Sequence, residues 1–127
     1  MFKGAGSRDT KSLGDAAEER ALAHLQRHGL RLECRNYRLA GGPGSRGAEI
    51  DLVLRDRDGT LVFVEVRSRG GSTAGGAAAS VSAAKQARLV RAAQHYLMRL
   101  PVPPRCRFDV VAIDGDKLQW LRGAFDA

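Results

Sequence analysis

Two runs of aliphatic residues, Glu49–Leu54 (EIDLVL) and Leu61–Arg67 (LVFVEVR), flank the polar turn RDRDG. Within that turn Asp58-Gly59 is a strong hairpin signal, so the pair is predicted to form two antiparallel strands. Side chains alternate along a strand, which puts Leu61, Phe63, Glu65 and Arg67 on one face and Val62, Val64 and Val66 on the other. Both faces are apolar, the mark of a central strand covered on both sides. Upstream, LGDAAEERALAHLQRHG (residues 13–29) carries an apolar stripe of Ala17, Ala21, Leu22 and Leu25 at helical spacing. Ser12 is the candidate N-cap, Asp15 the third helical position, and Gly29 the stop signal. A strand is expected over 32–39, followed by the glycine-rich turn GGPGSRG at 41–47. A second helix is expected over about 81–100, with Leu89, Ala92, Ala93, Tyr96, Leu97 and Leu100 as its core face, ending before PVPP. RFDVVAID and, after the turn at Asp114-Gly115, KLQWL read as further strands. The order helix, three-strand meander, helix, strand predicts a mixed α/β fold with helices packed on a central sheet. Residues 1–12 read as a flexible lead and 13–127 as a single domain. SRGGSTAGGAAAS (68–80) is low in complexity and suits a flexible loop or a nucleic-acid flap.

Composition narrows the class. No apolar run approaches the roughly 20 residues that cross a bilayer, so no membrane association is expected. The first residues lack the apolar middle of a signal peptide. Cys34 and Cys106 lie far apart without CxxC spacing, which points to reduced cytosolic thiols. Charge says more. The chain carries a formal net charge of +7, and the excess is uneven. From Val66 to Phe108 there is no Asp or Glu, yet eight basic residues: Arg67, Arg69, Lys85, Arg88, Arg91, Arg99, Arg105 and Arg107. Such a block is a candidate footprint for a polyanion, nucleic acid first, with a solvated basic face as the alternative.

The strands also carry acids where burial is expected. Alternation places Glu49 and Asp51 on one face of the first strand and Ile50 and Leu52 on the other, and Glu65 falls in the central strand. An unpaired buried charge costs several kcal/mol or changes its protonation. A side-chain cation or a bound metal ion would offset that cost. Asp51 and Glu65 can converge at one end of the hairpin, and converging carboxylates suit Mg²⁺ or Mn²⁺. Arg67, on the face of Glu65, could hold a phosphate. An Asp51/Glu65–Arg67 ion-pair cluster without metal explains the same spacing equally well. Glu18 borders the apolar stripe of the first helix and aims a further acid inward. Lys85 stands four residues before Leu89, so it points the same way from the start of the second helix and suits a phosphate-facing role; a snorkelling lysine fits the same position equally well.

An acid on one strand followed on the next by an ExK-like triplet resembles the PD-(D/E)xK, restriction-endonuclease-like nucleases. More closely, GDAAEERALAHL, RNYR, GAEIDLV, LVFVEVRSR, AAASVSAAKQARL and RFDVVAI resemble, in order, the YraN-type family of small bacterial proteins, distantly similar to archaeal Holliday-junction resolvases. That resemblance implies a restriction-endonuclease-like fold and a divalent-metal-dependent nuclease acting on DNA rather than RNA, selective for branched or structured substrates. It implies Mg²⁺ (or Mn²⁺) held by Glu18, Asp51, Glu65 and the Val66 carbonyl, with Arg67 and Lys85 at the phosphate, and it favours a homodimer. Arg67 stands where the superfamily usually has lysine. A lysine can lose its proton when buried and activate water, whereas arginine stays charged. Glu49 matches the acid of the family's GEID motif and is read as a supporting residue, with a pair to Arg46 or another arginine as the rival.

Arg69, Lys85, Arg88 and Arg91, with Arg67, form the expected nucleic-acid surface, and Arg88, Arg91, His95 and Arg99 form a stripe along the second helix. His24 and His28 are spaced i, i+4 without a third zinc ligand and read as surface residues. Asp109 is expected to pair with an arginine. The alternatives to a cytosolic nuclease are a non-catalytic nucleic-acid-binding module of the same fold and a protein-interaction adaptor whose carboxylates form an internal salt bridge.

Overall fold

The computed structural model describes residues 5–69 and 81–126. The elements run α1 (Ala5–Arg27), β1 (Arg31–Leu39), β2 (Ala48–Arg55), β3 (Leu61–Arg69), α2 (Ala83–Leu97), β4 (Cys106–Asp114) and β5 (Lys117–Phe125). The strands form one sheet in the order β1-β2-β3-β4-β5. Every neighbouring pair is antiparallel except β3 and β4, which are parallel. Parallel neighbours need a crossover, and α2 lies on that connection. The mixed sheet with its two helices is the fold class expected from the order of elements. The segment 70–80, read as loop or flap, lies outside the described residues.

Each helix covers one face. Ala17, Ala21, Leu22 and Leu25 of α1 pack on Leu52, Leu54, Val62, Val64, Val111 and Ile113. Leu89, Ala92, Ala93 and Tyr96 of α2 pack on Ile50, Val53, Leu61, Phe63, Phe108 and Val110. Central β3 is therefore apolar on both sides, as its alternation requires. Gly29 closes α1 at φ +93°, a left-handed conformation that costs glycine little. The other end of α1 corrects the expectation. The helix begins at Ala5, so Ser12 lies within it rather than capping it. Residues 5–12 carry no apolar stripe, and periodicity gave no sign of helix there. Ser82 is the cap that the structure does use: its side chain accepts from the Lys85 amide at the start of α2.

The second correction bears on the site. Ile50 joins the α2-side core and Leu52 the α1-side core, so they do not share a face. The alternation of β2 changes phase at Asp51. On the neighbouring strand the phase also changes, because Cys34 and Tyr37 both pack toward α2 although three positions apart. Between them stands Asn36 with φ +50°, the one non-glycine residue in the left-handed region among those described. Tyr37 pairs with Ile50 and Arg35 with Leu52, so Asn36 stands opposite Asp51. The two phase changes thus face one another. An alanine at this φ costs about 1–2 kcal/mol that glycine avoids. Asn36→Ala is accordingly expected to unfold at lower urea concentration than Asn36→Gly; equal midpoints would mean that the strand does not depend on this backbone conformation.

Candidate active site

The ladder between β2 and β3 ends at the Leu52–Val64 pair. Beyond it the amide of Val66 has no strand partner on that side and instead donates to Asp51 Oδ2 at 2.8 Å. Asp51 therefore lies between the two strands rather than on either face, which explains the phase change there. Glu65 projects from β3 toward α2 and is 7% exposed. Its Oε2 lies 3.5 Å from Lys85 Nζ. Its Oε1 is buried and has no hydrogen-bond partner. Lys85 reaches this position because it precedes Leu89 by one helical turn, as its spacing suggested.

Two further acids flank the pair. Asn36 Nδ2 donates to Glu49 Oε2 at 3.1 Å and lies 3.4 Å from both oxygens of Glu18. A side-chain amide has two N–H bonds, so it can serve two carboxylates and keep them apart. Arg35 Nη2 stands 3.9 Å from Glu18 Oε1 and Arg38 Nε 3.5 Å from Glu49 Oε2. The arginine paired with Glu49 is thus Arg38; Arg46 points elsewhere on the same cleft. Among the described residues, no three Asp, Glu, His or Cys side chains gather closely enough to hold one ion together. Glu18, expected beside Asp51 and Glu65, is held instead by Asn36 and Arg35. The donor set that fits a hard cation is the pair Asp51 and Glu65, with the orphaned Glu65 oxygen as its open position.

The electrostatics follow from this crowding. Burial and the neighbouring Glu65 push Asp51 up from 3.8 to about 7. Burial also raises Glu65, against the opposing pull of the Lys85 and Arg67 cations. Glu18 is raised by burial and by Asp51. These groups bind protons more tightly folded than unfolded. For Asp51 the contribution to stability is whole below the unfolded value near pH 4 and is lost as pH rises through the folded value of about 7. Melting temperature in EDTA should therefore fall between about pH 5 and pH 8. Asp51→Asn, which keeps an acceptor for the Val66 amide, should flatten that fall; an unchanged slope would detach it from Asp51.

On the far side of Lys85 from Glu65 opens a cleft of about 550 Å³, lined by Lys85 and by neither Asp51 nor Glu65. The loop 40–47 forms one wall and the first turns of α2 the other, and Arg38, Arg46, Lys85 and Arg88 line it together with Glu49. The stripe expected along α2 is only partly available to a ligand. Arg91 Nη2 donates to the Arg46 carbonyl at 2.9 Å, His95 Nδ1 lies 2.6 Å from the Tyr37 hydroxyl, and Arg99 covers the rings of Tyr37 and Tyr96. Arg67 is half-buried on the face of Glu65, and the side chain of Arg69 lies outside the described residues. His24 is half-buried and His28 exposed, and both rings lie edge-on to Trp120. Asn36, Arg38 and Arg46 escaped the sequence reading as site residues. RNYR pointed to the first two, but nothing in the pattern indicated a left-handed asparagine.

This chain belongs to the uncharacterised protein family UPF0102, whose model matches residues 17–113. It is the YraN-type family that the six segments resemble. The chain is 69% identical to the UPF0102 protein Mpe_A3766 of Methylibium petroleiphilum over 118 residues, covering 93% of this chain and 97% of that protein. It is 65% identical to a UPF0102 protein of an Acidovorax species over 123 residues, or 97% and 91% of the two chains. A UPF0102 protein of Paracidovorax citrulli is 64% identical over 118 residues, 93% of this chain and 85% of its own. No described helix is long and apolar enough to cross a membrane.

Proposed function

We propose that the protein is a divalent-metal-dependent nuclease acting on DNA, an endonuclease that favours branched or structured substrates. The observation that carries this reading is the buried Glu65 Oε1 without a hydrogen-bond partner, beside a second carboxylate at Asp51. A pair of like charges with an open oxygen is costly for the fold alone and suited to a cation. Asp51, Glu65 and the Val66 carbonyl would hold Mg²⁺ or Mn²⁺. Such an ion polarises a phosphoryl oxygen and lowers the pKa of a bound water.

The protein's own residues supply the rest. Asp51 is oriented by the Val66 amide, and Glu65 by Lys85. Lys85 brings the amine that Arg67 does not, from α2 instead of β3, and its three N–H bonds can serve Glu65 and a phosphate oxygen together. Arg67 adds a fixed positive charge on the same face. Arg88 continues the positive surface away from the carboxylates. Arg91 holds the wall of the cleft through the Arg46 carbonyl.

A second reading, a nucleic-acid-binding module without catalysis, draws on one observation: Glu18 is engaged by Asn36 and Arg35, which leaves two carboxylates rather than three at the candidate ion site. One assay separates the readings. Flapped and four-way DNA are incubated with Mg²⁺, with Mn²⁺ and with EDTA. Cleavage with either ion and none in EDTA supports the nuclease; steeply salt-dependent binding without cleavage in any of the three supports the module.

A further inference from the structure

The cleft beside Lys85 contains charge that the described residues do not neutralise. Of its four basic side chains, Arg38 is paired with Glu49 at 3.5 Å and Lys85 with Glu65 at 3.5 Å. Glu49, the acid on the cleft wall, is further occupied by Asn36. Among the described residues, neither Arg46 nor Arg88 has a carboxylate within 4.0 Å. Two guanidinium groups line one cleft with no internal counter-charge, an arrangement that favours an anion between the walls.

The walls are preformed. The loop 40–47 folds back on itself so tightly that a Cβ on Gly41 would stand 2.4 Å from the Ser45 carbonyl oxygen, and one on Gly47 2.7 Å from that of Leu39. Arg91 fastens the same loop to α2 through the Arg46 carbonyl. A ligand would thus meet a cleft whose backbone walls are already in place, with little ordering cost in the main chain.

Shape then selects among nucleic acids. At about 550 Å³ the cleft has the size of a small-ligand pocket rather than of a duplex groove. Glu65, the candidate ion ligand, is only 7% exposed and meets the cleft through Lys85, which lines it and stands 3.5 Å from Glu65 Oε2. A phosphate that approaches Lys85 through this cleft passes between the loop and α2. An unpaired strand can thread such a passage, because its backbone bends freely and brings no complementary strand; a B-form duplex is held at the rim.

We propose that the cleft binds the backbone of an unpaired DNA strand, with Arg46 and Arg88 each contacting a phosphate next to the one at Lys85. This rests on the nuclease reading for its direction, but not for its test. Fluorescence anisotropy in EDTA measures the affinity of a labelled single-stranded 20-mer, the blunt duplex of the same sequence, and that duplex with a single-stranded tail. The wild type should bind the single strand and the tailed duplex at least tenfold more tightly than the blunt duplex. Arg46→Ala/Arg88→Ala should erase that preference and leave blunt-duplex binding unchanged. Its slope of log affinity against log salt for the single strand should be shallower by roughly 1.4, two contacts at about 0.7 each. Arg27→Ala/Arg31→Ala, which removes the same charge from exposed positions elsewhere, should keep the preference; equal melting temperatures of the two double variants exclude misfolding as the cause. Blunt duplex bound as tightly as single strand, or an unchanged slope in Arg46→Ala/Arg88→Ala, overturns the proposal. Since no ion is present, cleavage that fails while this preference holds sinks the nuclease reading alone. Ion-dependent cleavage of the single strand at an undiminished rate in Arg46→Ala/Arg88→Ala sinks the cleft alone.

Discussion

Glu65→Gln should reduce ion-dependent DNA cleavage by about 100- to 1000-fold, the cost of removing one preorganised electrostatic group from a reacting centre. The side chain keeps its volume, and its carbonyl oxygen can still accept from Lys85, so the core around Phe63 and Val110 has no reason to rearrange. What disappears is one of two negative charges that face a cation. Binding of DNA in EDTA should be preserved, because Lys85 and Arg88 stay in place and the site becomes less negative. Stability at neutral pH should rise slightly, since burial raises the Glu65 carboxyl above its ordinary value and the variant no longer has to ionise there. The three results belong together: lost turnover, kept binding and a firmer fold are the signature of a residue retained for chemistry. Equal cleavage by the wild type and Glu65→Gln contradicts the catalytic assignment. A large loss of stability would instead make Glu65 a structural partner of Lys85.

The second large effect lies away from the site. Asp109 is 0% exposed, and all of its bonds are structural. Arg107 Nε donates to Oδ1 at 3.0 Å and to Oδ2 at 3.2 Å, Trp120 Nε1 to Oδ2 at 2.9 Å, and the Gly123 amide to Oδ1 at 2.9 Å. The register between β4 and β5 shifts between Phe108 and Val110. Gly123 takes φ +57°, and the Asp109 carboxylate satisfies the amide of that irregular turn of strand. Arg107 meanwhile reaches Asp56 at 3.0 Å, which ties the β2–β3 turn to β4. Its Nη2 is already buried without a partner. Asp109→Ala would leave the guanidinium with Asp56 alone and orphan the indole and the Gly123 amide. Removing one partner from a buried pair costs about 3–5 kcal/mol. That is a large share of the roughly 5–15 kcal/mol that holds an ordinary domain together. Urea unfolding of the purified variant should show this loss. A loss below about 1 kcal/mol would mean that the network contributes no more than an exposed ion pair.

These two acids also show how far the chain can be read unaided. The arginine partner of Asp109 was legible, because Arg107 stands two residues away on the same strand face. The indole and the glycine amide were not, since they depend on a register shift between β4 and β5. Glu65 and Lys85 were each legible as inward-facing, by alternation along β3 and by the one-turn offset from Leu89, but their pairing was not: the expected partner was Arg67, and the cation found at Glu65 is Lys85. Asp51 was legible as an acid near Glu65 but not in its orientation. Alternation assumes an unbroken strand, and β2 changes phase at Asp51 itself, opposite a left-handed Asn36. No composition or spacing rule signals that change, because Asn tolerates both conformations. Glu18 was aimed correctly by its helical offset, yet its partner is the amide of Asn36, so the expected three-carboxylate cluster reduces to two. The stripe on α2 had the right periodicity. Its members His95 and Arg99 are exposed and also meet Tyr37 of β1, a contact that the spacing along α2 did not announce.

The central claim is that Asp51 and Glu65 are a cation site and not a buried ion pair with Lys85. Crystals grown with Mn²⁺ at a pH near 8, where Asp51 is ionised, test it through the anomalous scattering of the metal. The account predicts one strong anomalous peak within about 2.0–2.3 Å of an oxygen of each carboxylate, with the Val66 carbonyl as a further ligand, and its loss in Asp51→Asn. No peak there, with Lys85 Nζ in contact with Glu65 as it is without metal, would contradict it.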